Sequence, residues 1–335
     1  MLWHKLKHTS VRLVFAASGM PVCSRARLRL LRPGLRFVLW RLGLTDMKVI
    51  RAKSAGFCWG VERAIKIARS FAEGGKRSVY SDGPLIHNRQ MMERLEKEGI
   101  REVGDYQSKE DLKVDPAKDP GGVLVVRAHG ISPERREYLK SLGFEFRDAT
   151  CPDVGIVAGK IRMKARNGYA TIIFGDKDHP EVIGLMGYAL GRGHAVQSRA
   201  DIDSLPHLGD KVCMVSQTTM FTDDFEQLVA YVKKTYPALE VFNTICGATR
   251  SRQSDIAALV EEGAQAIVVI GGHHSANTCK LASLAQRSGL PTWHIETARE
   301  IDDTAFRGIE KVGVTAGAST PDFLIDEVCR KLEAI

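Results

Sequence analysis

The sequence predicts an α/β protein of three similar small domains, each with a parallel sheet, packed in pseudo-threefold arrangement about a shared centre. Two observations carry this expectation. Short β-rich runs, VLVV at 123–126, TIIF at 171–174, AIVVI at 266–270 and VGVT at 312–315, each pass into small or polar residues and then a helical pattern. Such alternation builds parallel sheets from βα units, whose ligands sit at the carboxyl ends of the strands. The second observation is an internal repeat. Cys58, Cys151 and Cys246 stand 93 and 95 residues apart, each between an extended segment and a helix, and a period of that size is a small domain rather than a solenoid repeat.

The expected units are 47–150, 151–245 and 246–335. The first opens with the extended KVIRAKSA, runs through Cys58 into a helix, and offers His87 in GPLIHNRQ and His129 in RAHGIS, 29 and 71 residues past the cysteine. The second runs from FEFRDAT through Cys151 into its helix, with His179 in GDKDHPEV and Thr218 in SQTTM at 28 and 67. The third runs from LEVFNTI through Cys246, with Ser275 in GGHHSANT and Ser319 in AGASTPD at 29 and 73. Pro133, Pro152, Pro180 and Pro321 fall near helix starts, where a missing N–H costs little. The strand ends therefore carry helix N-termini, which favour anions.

Composition bounds the function classes. With 44% hydrophobic and 26% charged residues the 335-residue chain is globular, not disordered. Its formal charge of +8 lies wholly in residues 1–46, which hold nine Lys or Arg and one acid, Asp46. The remaining body is neutral and has no basic stripe or aromatic platform, so no nucleic-acid partner is expected. Arginines interrupt every apolar run of the extension, so stable membrane insertion is not expected either. Residues 1–46 are expected to lie outside the fold. They read as translated upstream sequence ahead of Met47, or as an organelle-targeting or surface-binding segment. Seven cysteines, an odd number without a CxxC pair, argue against a disulfide framework and a local zinc knuckle, and fit a reducing compartment.

Each cysteine alone is most simply a small core residue. Three matched positions at three strand–helix junctions are harder to attribute to packing, and helix N-termini stabilise thiolates. Zinc would need a fourth ligand and usually takes two from one turn. Three thiolates fit a four-iron cluster with one iron left open to substrate. Cys23, Cys213, Cys279 and Cys329 have no matched partners and read as structural. His87, His129 and His179 stand at repeat-matched strand ends, and Ser275, Asn277 and Ser319 follow glycine-containing loops, a donor set suited to a diphosphate. No P-loop or G-x-G-x-x-G fingerprint supports a nucleotide site. Glu181, two residues past His179, is either a surface glutamate favoured by a helix dipole or a proton relay.

The motifs GFCWGVERAI, HN at 87–88, AHG at 128–130, DATCP, HPEVIG, QTT, TICGATRSRQ, SAN at 275–277 and GASTPD, in that order across 47–329, resemble the LytB-type 4-hydroxy-3-methylbut-2-enyl diphosphate reductases. The resemblance implies three α/β domains around one [4Fe–4S] cluster per subunit, ligated by Cys58, Cys151 and Cys246 with one iron open. It implies a diphosphate held by His87, His129, Ser275, Ala276, Asn277 and Ser319, with His179, Thr218 and Glu181 nearer the substrate hydroxyl. The implied reaction is a two-electron, two-proton reductive dehydroxylation to isopentenyl or dimethylallyl diphosphate, in which Glu181 delivers protons through Thr218 or the substrate diphosphate. Electrons would come singly from a ferredoxin or flavodoxin, in a bacterial cytoplasm. Three positions depart from the family pattern: Ala276 replaces a common serine, His274 an asparagine and Asp178 a glycine, each touching affinity more than chemistry. A redox sensor without turnover is the alternative; it explains the cysteines but not the diphosphate donors or Glu181.

Overall fold

Among the residues that the computed structural model describes, 47–75, 77–104, 112 and 114–335, twelve short strands form three four-stranded parallel sheets. The extension 1–46, with its upstream-sequence and targeting readings, lies outside the described residues. β1 (Lys48–Arg51) comes first in the chain. β2 (Val79–Asp82), β3 (Ile100–Val103), β4 (Val123–Val126) and β5 (Glu145–Asp148) make one sheet in the order β3-β2-β4-β5. β6 (Ala170–Phe174), β7 (Gly193–Val196), β8 (Val212–Ser216) and β9 (Glu240–Phe242) make the next, β7-β6-β8-β9. β10 (Ala266–Ile270), β11 (Thr292–Ile295) and β12 (Lys311–Ala316) join β1 in the third, β11-β10-β12-β1. The three orders coincide, element for element, once β1 is placed last.

The central strands are apolar runs because helices cover both faces of each sheet. In β4, Val123 and Val125 face α1 (Trp59–Ala72) and α2 (Arg89–Lys97), whereas Leu124 and Val126 face α3 (Pro133–Ser141). In β6, Ile173 packs with α4 (Pro152–Arg166) and α5 (Pro180–Met186), and Ile172 with α6 (Arg199–Asp203) and α7 (Thr222–Thr235). In β10, Ile267 and Val269 meet α8 (Gly247–Glu261) and α9 (Ala276–Arg287), and Val268 meets α10 (Asp322–Glu333). Each such buried Val, Leu or Ile contributes roughly 1.5–3 kcal/mol, so the period-two alternation fixes the register of every sheet.

One strand departs from the sequence reading. A first unit drawn as 47–150 contains β1, yet β1 pairs with β12, Ile50 beside Gly313, and shares a core with Ile325 and Val328 of α10. The edge beside β4 is already occupied by β5, whereas the third sheet has no later strand to cover β12. A four-residue parallel strand carries no mark of its partner in its own sequence. Pro133, Pro152 and Pro180 are first helical residues and Pro321 is the N-cap of α10, so all four stand at helix starts.

The swap closes a ring. From β1 of the third sheet the chain passes through Cys58 into α1 on the first sheet; from β5 it passes through Cys151 into α4 on the second; from β9 it passes through Cys246 into α8 on the third. Each cysteine thus sits at the carboxyl end of an edge strand, where the chain leaves one unit for the next. Among the described residues no helix is long and apolar enough to cross a membrane.

Candidate active site

The three cysteines are the N-caps of α1, α4 and α8 and line one pocket. Their backbone N–H groups are held alike: Cys58 donates to Ala318 O (3.0 Å), Cys151 to Ala128 O (2.9 Å) and Cys246 to Thr218 O (3.0 Å), each carbonyl lying just past the strand beside the edge strand. Cys58 and Cys151 make no side-chain cap, leaving their thiols free for the pocket, while Cys246 Sγ accepts the Thr249 N–H at 3.3 Å. Gly60 lets two of them approach: a Cβ there would lie 2.6 Å from Cys151 Sγ and 4.0 Å from Cys58 Sγ. At Cys151 and Cys246 burial outweighs the N-terminal dipole. Burial pushes Cys151 up to about 11, outweighing the N–H groups of Asp153 and Val154 that pull it down, and burial likewise raises Cys246. Metal binding at these sulfurs would therefore release protons. Three unpaired thiols from three units, converging beside the buried cation Arg252, fit a soft iron–sulfur group.

His87, His129 and His179 meet at ring-centroid separations of 4.6, 5.6 and 6.1 Å, with ligand atoms within 4.8 Å of one another. All three are neutral. Burial first, then the Arg127 cation, takes His87 down to about 4. Burial, then His87 and Lys280, takes His179 to about 3. Burial, then His87 and His179, lowers His129. His179 caps α5 by accepting the Glu181 N–H at Nδ1 (3.1 Å), which puts its proton on Nε2. His129 Nδ1 is buried with no hydrogen-bond partner. His179 has its acceptor nitrogen taken by the Glu181 N–H and so offers the pocket a donor, its Nε2–H.

Glu181 is 2% exposed, and both its oxygens are engaged by one residue: Thr218 N–H donates to Oε1 at 2.7 Å and Thr218 Oγ1 lies 2.8 Å from Oε2. Burial raises the Glu181 pKa, and the Thr218 hydrogen bonds oppose this only in part. A protonated carboxyl beside a hydroxyl that both donates and accepts is a ready proton path.

The third unit adds hydrogen-bond donors to the pocket. Ser275 caps α9 by accepting the Thr278 N–H (3.4 Å), which leaves its own O–H proton to donate. Ala276 opens the helix with a backbone N–H, and Asn277 Nδ2 is buried with no partner. Ser319 Oγ donates to His87 O at 3.0 Å, tying the third unit to the first. Every expected site residue lines the same pocket. His274 and Asp178, by contrast, are exposed at its margin. Cys213 lies buried in β8, Cys279 exposed on α9 and Cys329 on α10, away from the pocket; Cys23 is outside the described residues.

Sequence reasoning missed three cations. Arg252 donates to Gly56 O (2.5 Å), Ala248 O (3.0 Å) and Ala316 O (3.3 Å), clamping the strand-end loops around Cys58 and Cys246. Lys280 reaches Met220 Sδ at 2.8 Å and, half-buried near Glu181, has its pKa lowered by burial. Arg127 is 2% exposed and bears on all three histidines. TICGATRSRQ holds Arg252, but nothing in its spacing marks the residue as buried.

Comparison with known proteins agrees with this geometry. The LytB protein family model matches residues 49–333. A curated 4-hydroxy-3-methylbut-2-enyl diphosphate reductase of Opitutus terrae is 66% identical over 291 residues, covering 86% of this chain and 100% of that protein. The Aquifex aeolicus protein of the same name is 38% identical, covering 86% and 96%. Among solved structures, the E-1-hydroxy-2-methyl-but-2-enyl-4-diphosphate reductase of Plasmodium falciparum is similar with a TM-score of 0.76 at 30% identity, covering 85% and 87%. A second, described as the terminal enzyme of the non-mevalonate pathway, has a TM-score of 0.63 at 36% identity, covering 86% and 100%.

Proposed function

The chain belongs to the LytB protein family, and from that membership we propose that it carries out the reaction for which its relatives are named. It reduces (E)-4-hydroxy-3-methylbut-2-enyl diphosphate to isopentenyl and dimethylallyl diphosphate, the last step of the methylerythritol phosphate route to isoprenoids, consuming two electrons and two protons and releasing water. The observation that carries this reading is the convergence of three helix-capping cysteines from three sheets on a pocket that also holds neutral histidines and the Glu181–Thr218 pair.

Cys58, Cys151 and Cys246 would hold a [4Fe–4S] cluster with one iron free of cysteine. When bound, that group supplies electrons singly and a Lewis-acidic iron. The chain's own residues do the rest. The diphosphate takes its hydrogen bonds from the Ser275 hydroxyl, the N–H groups opening α9, Asn277 Nδ2 and the His87 and His129 rings; Asn277 Nδ2 and His129 Nδ1 are otherwise buried without partners. Ala276 costs one hydroxyl in this cradle and keeps the N–H. His179 Nε2–H orients the substrate hydroxyl end. Glu181, whose pKa burial raises, passes a proton through the Thr218 hydroxyl to the departing oxygen, and the nearby diphosphate serves the second protonation. Electrons come from a ferredoxin or flavodoxin, and unpaired thiols suit a reducing cytoplasm.

Anaerobic purification with iron and sulfide assay, followed by turnover with a chemical reductant, tests the reading. About four irons per chain with turnover is the expected result. A full cluster without turnover would leave the sensor alternative in its place.

A further inference from the structure

A groove of about 810 Å³ runs along α4, from Cys151 and Pro152 at its start to Arg166 and Asn167 at its end. Gly155 and Gly159, one turn apart, make its floor smooth: a Cβ added at either would meet no atom within 4 Å. The rim carries Arg63 of α1, Arg136 of α3, and Arg162 and Arg166 of α4, against one lining carboxylate, Asp148, which Arg136 already pairs. Arg162 and Arg166 are exposed, and among the described residues no carboxylate pairs with either. Exposed apolar side chains lie here too: Met163 (49%) of α4 lines the groove, and Trp59 (51%) of α1 lines an adjoining hollow that shares Arg63 with it.

Arginine, methionine and tryptophan around a smooth depression form the composition of a protein interface rather than of bulk surface. The two helices that bear it are also the two that begin at Cys58 and Cys151. Cys151 itself lines the start of the groove, and Cys58 caps the helix that carries Arg63. The reaction also demands such a partner, because it consumes two electrons and the sequence carries no flavin or nicotinamide motif.

We propose that this groove is the docking surface for a small acidic one-electron carrier protein, which delivers electrons to the cluster at the Cys58 and Cys151 side. The inference rests on the reductase reading above. Each docking oxidises one carrier by one electron and reduces the cluster by one, so two dockings serve each turnover and no bond or proton is exchanged in the groove. The four arginines steer the acidic carrier, while Met163 and Trp59 supply the dry contact that a polyanion such as RNA would not use.

The test measures affinity of the cluster-loaded protein for an acidic [2Fe–2S] ferredoxin and for a flavodoxin by calorimetry at low and high salt. It compares the unchanged chain with Arg162→Glu/Arg166→Glu and with Gly159→Gln. Turnover is run in parallel with carrier and with a small chemical reductant. Both variants should bind carrier about tenfold more weakly and need about tenfold more of it for half-maximal rate, with salt weakening the unchanged chain in the same way. Turnover with the chemical reductant should stay within about twofold, since neither change touches the substrate pocket. Gly159→Gln extends into open space on a helix that prefers it to glycine, so it separates a blocked groove from a misfolded chain. The proposal fails if neither carrier binds, if carrier affinity is unchanged in both variants, or if the variants weaken only an oligonucleotide. Failure of the unchanged chain to turn over with the chemical reductant would count against the reductase reading instead, leaving the binding result to stand by itself.

Discussion

Glu181 is the residue at which burial decides function. With 2% exposure and Thr218 on both its oxygens, it has its pKa raised by burial above that of an exposed glutamate. Glu181→Gln preserves shape and one donor but has no proton to give, so cluster content and substrate affinity should persist while kcat falls by about 10²–10⁴; turnover near the parent value would remove Glu181 from the relay. The histidines add a pH dependence with a definite sign. His87 is taken from the ordinary 6.5 to about 4, so the folded chain keeps it neutral where the unfolded chain protonates it. Its effect is absent above pH 6.5 and destabilises progressively as pH falls from there towards 4, by up to roughly 1.4 kcal/mol per pH unit. Glu181 acts oppositely: its folded pKa is raised, so stability is lost as pH rises above 4.5, where the unfolded carboxyl ionises first. Denaturation of cluster-free His87→Asn between pH 7 and about 4.5 should therefore show a flatter decline than the parent. Parallel curves would mean that His87 is not the neutral buried group described.

At the scale of elements, the cysteine-capped helices are the unit from which the site is built, and Gly60 in the first turn of α1 is what lets two of them meet. Gly60→Val would drive a branched side chain into Cys151 Sγ, already 2.6 Å from a bare Cβ. The variant should fold and lose most of its iron, as Cys151→Ser should; iron retained at the parent level in both would rule out Cys151 as a ligand. How far the sequence reveals such elements depends on where their determinants lie. The cysteine junctions, the capped starts of α5 and α9, and the apolar central strands are local patterns, and all of them could be read from the chain. The clamp made by Arg252 is not local: its acceptors, Gly56 and Ala316, lie far away in the chain, and only folding brings them together. The state of the thiols was misread for the same reason. A helix N-terminus is visible in sequence, but the burial that overrides it at Cys151 is a property of the packed whole.

The whole molecule is a ring of three units closed by its first strand, and this gives residues 47–52 a weight that their length conceals. The family model matches residues 49–333, so a chain starting at Met47 keeps the whole matched span. It should bind iron and turn over like the full chain. A chain starting at Ala52 lacks only five further residues but loses the parallel ladder to β12 and the buried Met47 and Ile50, 5% and 8% exposed, from the core beneath α10. At roughly 1.5–3 kcal/mol for each buried side chain, besides the ladder hydrogen bonds, the loss takes up much of the 5–15 kcal/mol that holds an ordinary domain folded. It also frees the segment that delivers Cys58, whose backbone N–H is fixed to Ala318 just past β12. The shorter chain should therefore lose iron and melt well below the longer one, although every cysteine, histidine and carboxylate of the site is still present. Equal iron content and melting temperature in the two truncations would show that the third sheet does not need β1, and that the ring is closed by the pocket rather than by the strand.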